Sequence, residues 1–302
     1  MRSKLPELSK NGILTNRSRA QWVAYLFLLP AIIAFLVSKY LPISEGIFIS
    51  FFEIDIVNLP GKFVGFDNYI RAFKDPQFYK AIGHNFKFFA YGMVFGFWPP
   101  ILVAILINEV RKGKTLFRMG YFIPAIAPGI AMIILWKYFW QPDYGLANYL
   151  IGLFGMEPQM WLNDEKLVYF CMSFPGIVIT GGMNMLIFLA ALQDVPAEQY
   201  EAAMLEGAGF FKRTWHISLP VIKNVIGIMF ILTVIGCFNT MEGPMIFTGG
   251  GPAGSTETAL LYAYKQATNR LDYSYSITMS NIVFFLVLIG TALQMKFSKK
   301  ED

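Results

Sequence analysis

Charge is scarce in this chain: only 15% of its 302 residues are Asp, Glu, Lys or Arg, against about a quarter in a soluble domain. Histidine and cysteine are scarcer still, at two each. With so few histidines and no His-Glu-x-x-His run, metal or nucleophile chemistry has no constellation to stand on. Cys171 and Cys237 both fall inside apolar runs, where they read as small buried hydrophobes and not as a disulfide framework. No lysine completes a phosphate loop. Gly249-x-Gly251-x-x-Gly254 matches a dinucleotide fingerprint by letter, but it follows an apolar run instead of a strand, and Ser255 stands where a Walker lysine belongs. No fixed-period repeat and no low-complexity tract is visible. The net charge of +5 forms no basic stripe interleaved with exposed aromatics, so nucleic acid is not an expected partner.

What is present is apolar. Hydrophobic residues make up 55% of the chain and aromatics 17%. A helix needs roughly 20 apolar residues to cross the hydrocarbon core, and six such runs can be marked, at 22–41, 86–108, 117–139, 168–192, 221–241 and 276–296. The expectation is an all-α polytopic membrane protein: a tail over 1–21, a six-span domain over 22–296 and a second tail over 297–302. The first run is too long for a signal-peptide core and no small-x-small site follows it, so it reads as a retained span. Arg2, Lys4, Lys10, Arg17, Arg19, Arg111, Lys112, Lys114, Lys212, Arg213, Lys299 and Lys300 all fall in alternate segments. The intervening ones carry Asp67, Asp75, Asp143, Asp164, Glu165 and Asp272. The positive-inside rule therefore expects both termini and the 193–220 loop in the cytoplasm.

The segment between the first two spans (about 42–85) contains a turn signal at Pro60-Gly61, with Phe63, Phe66 and Tyr69 as the apolar side of a small packed cap. Segment 140–167 reads as carrying a short interfacial helix. Pro99-Pro100, Pro124, Pro128, Pro175, Gly176, Gly181 and Gly182 interrupt the spans. Freed backbone groups in lipid need partners inside the protein or in a wet cavity, so broken spans hint at a pathway.

Residues 201–220, EAAMLEGAGFFKRTWHISLP, are polar and helix-forming, yet sit between two apolar runs. Val195-Pro196 suits a helix start, and Asp194, Glu198 and Glu201 favour its positive end. Ala202, Ala203 and Gly207 are small enough for another protein's surface to approach. Gly207 and Gly209 suit a turn, after which a second helix from Phe210 would run through Ile217, Leu219 and Pro220 into the fifth span. A surface loop on lipid headgroups is the plainer alternative.

The ungapped spacing of Glu201-Ala202-Ala203, Gly207, Ile217 and Leu219-Pro220 resembles the EAA loop of the permease subunits of bacterial ABC importers. FVGFDNYIRAF, YGLANYL and TGGGPAGSTETALLYAY look like the carbohydrate importers of the maltose and multiple-sugar type. The resemblance implies a six-helix bundle of the type I importer kind in the bacterial cytoplasmic membrane, whose EAA loop docks into an ATPase. Glu201 would pair with a basic residue of that ATPase, and Gly207 would form the turn. It implies as partners a second homologous permease, a cytoplasmic ATPase dimer, an extracytoplasmic solute-binding protein, the sugar and membrane lipid. The chain itself would bind no cofactor and catalyse nothing, ATP and Mg being held by the ATPase. A sugar path needs hydrogen-bonding groups beside aromatic faces near the bilayer midplane. The candidates are Gly181, Met183 and Asn184 in the fourth span and Phe238, Asn239 and Glu242 in the fifth, and by resemblance the latter region lines the path in maltose-type importers. Interhelical hydrogen bonding or an interfacial position is the competing reading for each. A self-sufficient ion-coupled carrier would need inverted repeats and ionisable residues within its spans, and neither is evident.

Overall fold

Apolar runs punctuated by proline dictate where this chain is helical. The computed structural model describes residues 10–54, 61–110 and 112–298; among them it is mainly helical, joined by turns and loops, with one two-residue antiparallel strand pair (Phe52↔Phe63, Glu53↔Lys62). Four of its helices are unbroken and apolar enough to cross a membrane, at Gln21–Ile49, Pro76–Glu109, Phe210–Phe238 and Tyr273–Lys296. Two bent pairs, Lys114–Ile126 with Gly129–Phe139 and Val168–Ile179 with Gly181–Leu192, bring the count to six when each is one span.

Several boundaries differ from the sequence reading. The first helix begins at Lys10 and the last runs to Ser298, although their membrane-crossing stretches begin at Gln21 and end at Lys296, close to the limits read. The 1–9 part of the N-terminal tail, and the 299–302 end, lie outside the described residues. The second span starts at Pro76 and not near 86, because Asp75 caps it: one carboxylate oxygen accepts from the N–H groups of Gln77 at 2.9 Å and Phe78 at 3.4 Å, with Pro76 in the first turn. The fifth begins at Phe210 and ends at Phe238, so its first turns are the second half of the EAA loop and Glu242 falls beyond it. Phe63 and Phe66 keep much of their surface exposed, but the cap packs through ring contacts of Phe63 with Phe52, Phe66 with Phe51, and half-buried Tyr69 with Phe51. Pro60 lies outside the described residues. The short helix of the 140–167 segment is Leu146–Gly152.

Proline accounts for the irregularities inside the spans. Wide π turns occupy Leu36–Tyr40, Met93–Phe97 and Thr214–Ser218, and each stands just upstream of a proline: Pro42, Pro99-Pro100 and Pro220. A proline cannot donate to the carbonyl four residues back and its ring crowds that carbonyl, so a widened turn relieves the clash. The harsher solution is a break. Ala127, forced towards extended backbone by Pro128 (ψ 145°), ends the first half of the third span, and the second half leaves at 95°. The fourth span bends by 48° at Thr180.

Between lipid-exposed helices, packing and polar contacts replace the hydrophobic drive. Ile101, Ala104 and Ile105 of the second span meet Met185, Phe188, Leu189 and Leu192 of the fourth and Ile222 of the fifth. A Cβ on Gly182 would stand 2.7 Å from the Tyr121 carbonyl oxygen, so only glycine lets the third and fourth spans approach this closely. The first span is exposed over residues 21–45 and joins the body near its far end, where the Asn281 carboxamide donates to the Gly46 carbonyl at 3.1 Å.

Away from the EAA loop, four segments converge on one end. Asn85, fully buried, donates to the carbonyls of Cys237 (3.0 Å) and Phe238 (3.3 Å) and accepts from Ala259 N–H (3.0 Å). It thereby terminates the fifth span and seats helix Ala259–Asn269. The other oxygen of Asp75 accepts from the Tyr262 hydroxyl at 2.8 Å and the Tyr275 hydroxyl at 2.7 Å. Burial works to raise the Asp75 pKa, but these two phenols and the Gln77 and Phe78 N–H groups outweigh it and hold the carboxyl below its ordinary value. Burial first, and the Asp75 contact second, push the Tyr262 phenol up to about 12. Arg71 pairs with Asp272 at 2.6 Å across the same junction.

Candidate functional site

The EAA loop is built as a short exposed helix followed by a tight turn. Pro196, with an extended ψ of 134°, precedes helix Ala197–Leu205, and Glu198 lies in its first turn. The helix ends on a Schellman turn: Ala208 N–H returns to Ala203 O at 2.9 Å and Gly207 N–H to Met204 O at 3.0 Å. That geometry needs a left-handed residue, and Gly207 supplies it with φ +79°. Gly209 has φ −68° and ψ 173°, so its backbone makes no such demand. Phe210 then opens the fifth helix, as the spacing predicts.

Glu201 and Ala202 are exposed and Ala203 is half-buried. Ile217 lies in the π turn, Leu219 packs on the core beside the second and fourth spans, and Pro220 is exposed. Glu201 also lines a cleft of about 400 Å³ between this helix and the exit of the second span, with Asn108, Glu109, Tyr200, Met204 and Arg213. Two features here, the Arg213 pairing and the exposure of Leu205, were not singled out by sequence reasoning, whereas Phe211 suited the headgroup-loop alternative. The Arg213 guanidinium, only 12% exposed, pairs with Glu109 at 2.7 Å and donates to the Ala208 carbonyl at 2.9 Å. It therefore staples the glycine turn to the last residue of the second span. Leu205 is 90% exposed at the helix tip, and Phe211 is 84% exposed. Arg213 reads from sequence as one more positive-inside residue, because nothing local marks a partner 104 positions away.

The larger cavity, about 530 Å³, lies between the second, fourth and fifth spans. Gly92, Gly96, Gly176 and Gly236 open it, Phe88 supplies an aromatic wall, and Ser173, Thr180, Asn184, Thr233 and Thr240 supply the polar groups. The Thr180 and Thr233 hydroxyls donate to their own helices, to Gly176 O at 2.9 Å and Met229 O at 2.8 Å. Of the six path candidates, Asn184 lines this cavity and the others do not. Gly181 is buried against Tyr121, Met183 is 53% exposed, and Phe238 packs edge-on against Phe86 at 5.1 Å. Asn239 caps the end of the fifth helix and Glu242 starts the short helix Glu242–Thr248, both exposed. Ser173, Thr180 and Thr233 escaped notice because isolated hydroxyls are common in membrane helices, where they bond back to the helix.

No grouping of His, Cys, Asp and Glu suited to a metal occurs among the described residues. The loop carrying Gly249, Gly251 and Gly254 packs onto itself through Thr256, whose hydroxyl bonds Gly251 O at 2.7 Å. It follows helix Glu242–Thr248, which removes the strand that a dinucleotide fingerprint requires.

No model of a protein family matches the chain. Among curated proteins it is 30% identical to the probable ABC transporter permease protein YurN of Bacillus subtilis, over 92% of this chain and 96% of that one. It is 31% identical to the arabinooligosaccharides transport system permease protein AraP of the same species, over 91% and 88%. It is 30% identical to the trehalose/maltose transport system permease protein MalF of Thermococcus litoralis, over 92% and 94%. Among solved structures it superposes on a bacterial ABC transporter involved in the import of the acidic polysaccharide alginate, with TM-score 0.82 and 22% identity over 95% of this chain and 98% of that one. That likeness is one of fold.

Proposed function

The chain belongs to the permease subunits of carbohydrate ABC transporters, multi-pass proteins of the inner membrane, and from that premise we propose how this one works. It is one half of the passage of a sugar importer. A second, related permease supplies the other half, two copies of a cytoplasmic ATPase drive it, and an extracytoplasmic solute-binding protein delivers the sugar. The chain is not itself an enzyme; ATP and Mg belong to the ATPase.

The single observation that carries this reading is the EAA loop's geometry. An exposed helix, closed by a turn that only glycine adopts easily, projects from a bundle that also holds an open cleft carrying several hydroxyl and amide groups. In the mechanism, Glu201, Ala202, Ala203 and Leu205 face the ATPase. Closure of the ATPase dimer draws the two EAA helices together. Arg213 and Glu109 carry that displacement into the second span, and Leu219 carries it into the fifth. The cavity between these spans and the fourth then switches from inward-facing to outward-facing and accepts sugar. The energy comes from the ATPase binding the two bundle states differently. Both termini and the EAA loop lie in the cytoplasm; a reporter fused after Ser298 that is active only outside the membrane would overturn this orientation.

The test of the assembly is to tag the chain, purify it gently from its own membrane and identify what accompanies it. An ATPase with a Walker motif and a second permease bearing an EAA loop are expected. A lone chain that moves solute in liposomes without ATP would replace this reading with that of an ion-coupled carrier.

A further inference from the structure

The electrical character of the cavity narrows the class of solute, on the footing of the importer reading above. Its polar groups are the hydroxyls of Ser173, Thr180, Thr233 and Thr240 and the carboxamide of Asn184, set among Met172, Ile187, Met229 and Leu232, with Phe88 packed into its wall. None of the described residues that line it is charged. Towards that end of the bundle three cations are engaged elsewhere: Lys265 with Glu257 at 2.6 Å, Arg71 with Asp272 at 2.6 Å, and Lys137 with the Ile246 carbonyl at 2.8 Å; Lys87 lies over the Tyr169 ring, and Glu242 is exposed beyond the fifth helix, outside the lining.

An anion moved into such a space loses its hydration and meets no countercharge, whereas hydroxyls can exchange water for hydroxyl and amide partners one for one. Thr180 stands at the bend and Asn184 in the first turn after it, its N–H bonded to the Thr180 carbonyl at 3.3 Å, and both line the cavity, a hydroxyl and an amide together. Asn184 offers both a donor pair and an acceptor, the complement of a sugar diol. Thr180 and Thr233, whose protons are held by their own helices, remain acceptors. We propose that this chain's half of the path is built for a neutral, hydroxyl-rich sugar, and that a uronate, phosphate or sulfonate is not its cargo. The fold shared with an alginate importer does not carry that importer's acidic cargo across.

The first measurement is made on the intact importer purified together with its solute-binding protein. The bound solute is released by denaturation and its mass and charge are determined. An uncharged sugar is expected; a carboxylate, phosphate or sulfonate overturns the proposal. The second measurement uses that released solute as the probe, in cells carrying Asn184→Asp or Asn184→Lys. For a neutral sugar both variants lose uptake, each by roughly tenfold, the loss expected when one hydrogen-bonding set is replaced by an unpaired charge. Uptake kept or raised by Asn184→Lys and lost in Asn184→Asp would mean an anion passes, and would overturn the proposal. Unchanged uptake in both would remove this cavity from the path and overturn it equally. A failure of the importer reading would look different, because the purified assembly would then lack an ATPase.

Discussion

At the scale of single residues, two side positions carry testable consequences. Gly207 adopts φ +79° with no neighbouring atom near its missing Cβ, so the demand on it is conformational and not steric. A residue with a Cβ in this left-handed conformation costs about 1–2 kcal/mol. Gly207→Val is therefore expected to insert and assemble normally while the Schellman turn deforms and transport is lost; membrane level and sugar uptake measured side by side check this. Asp75 is the second. Its pKa is lowered in the folded protein, so its contribution to stability is present above its ordinary value of 3.8 and is lost as pH falls through the lowered one. Tyr262 has the opposite sign: its contribution is full below pH 10 and is lost as pH rises through about 12. Thermal unfolding in detergent should weaken on both sides of this window. Asp75→Asn should flatten the acid limb; an acid limb unchanged in that variant would take Asp75 out of the account. The cap on the second span stood in the sequence as Asp75-Pro76, but the reading by apolar run length started that span at 86 and passed over it. The tyrosine partners of Asp75 were not legible, because they lie 187 and 200 residues away.

At the scale of elements, proline explains most of what departs from a straight helix. The breakers were visible in the sequence, but whether each gives a wide turn or a break was not. The outcome depends on whether neighbouring helices and side chains can satisfy the freed carbonyls. Pro99-Pro100 and Pro220 sit in helices that remain continuous through a π turn, whereas Pro128 ends one. The EAA loop shows the same division. Its helix, turn and second helix follow from local signals, namely Pro196, Gly207 and the apolar run after Phe210. The staple to the second span is a contact between distant elements, and Glu109 and Arg213 look from sequence like ordinary interfacial charges. Arg213→Met should leave the assembly intact but reduce the sugar moved per ATP hydrolysed by roughly tenfold, as for loss of a partly buried charge-assisted bond. The reversed pair, Arg213→Glu with Glu109→Arg, should recover part of it. Coupling unaffected by Arg213→Met would confine the pair to a stabilising role.

At the scale of the whole molecule, the bundle is incomplete in a way that suits a subunit. The first span is exposed along most of its length, and the central cavity is bounded by three of the six spans. Gly236 offers a direct test of that cavity, since a Cβ there meets no atom within 4 Å. Gly236→Leu should fold and assemble as well as the parent, because leucine is a better helix former than glycine, and should block uptake by filling the space. Normal uptake in that variant would place the path elsewhere. By itself the sequence determined the medium, the apolar runs long enough to cross it and the EAA loop, because each rests on a local quantity: composition, run length, or residue spacing over twenty positions. Only the tertiary structure decided which polar residues share a cavity. Asn184 entered it while Gly181, Phe238 and Glu242 went to packing contacts or the bundle's end, since the azimuth of a side chain around a bent helix is set by the neighbours that helix packs against.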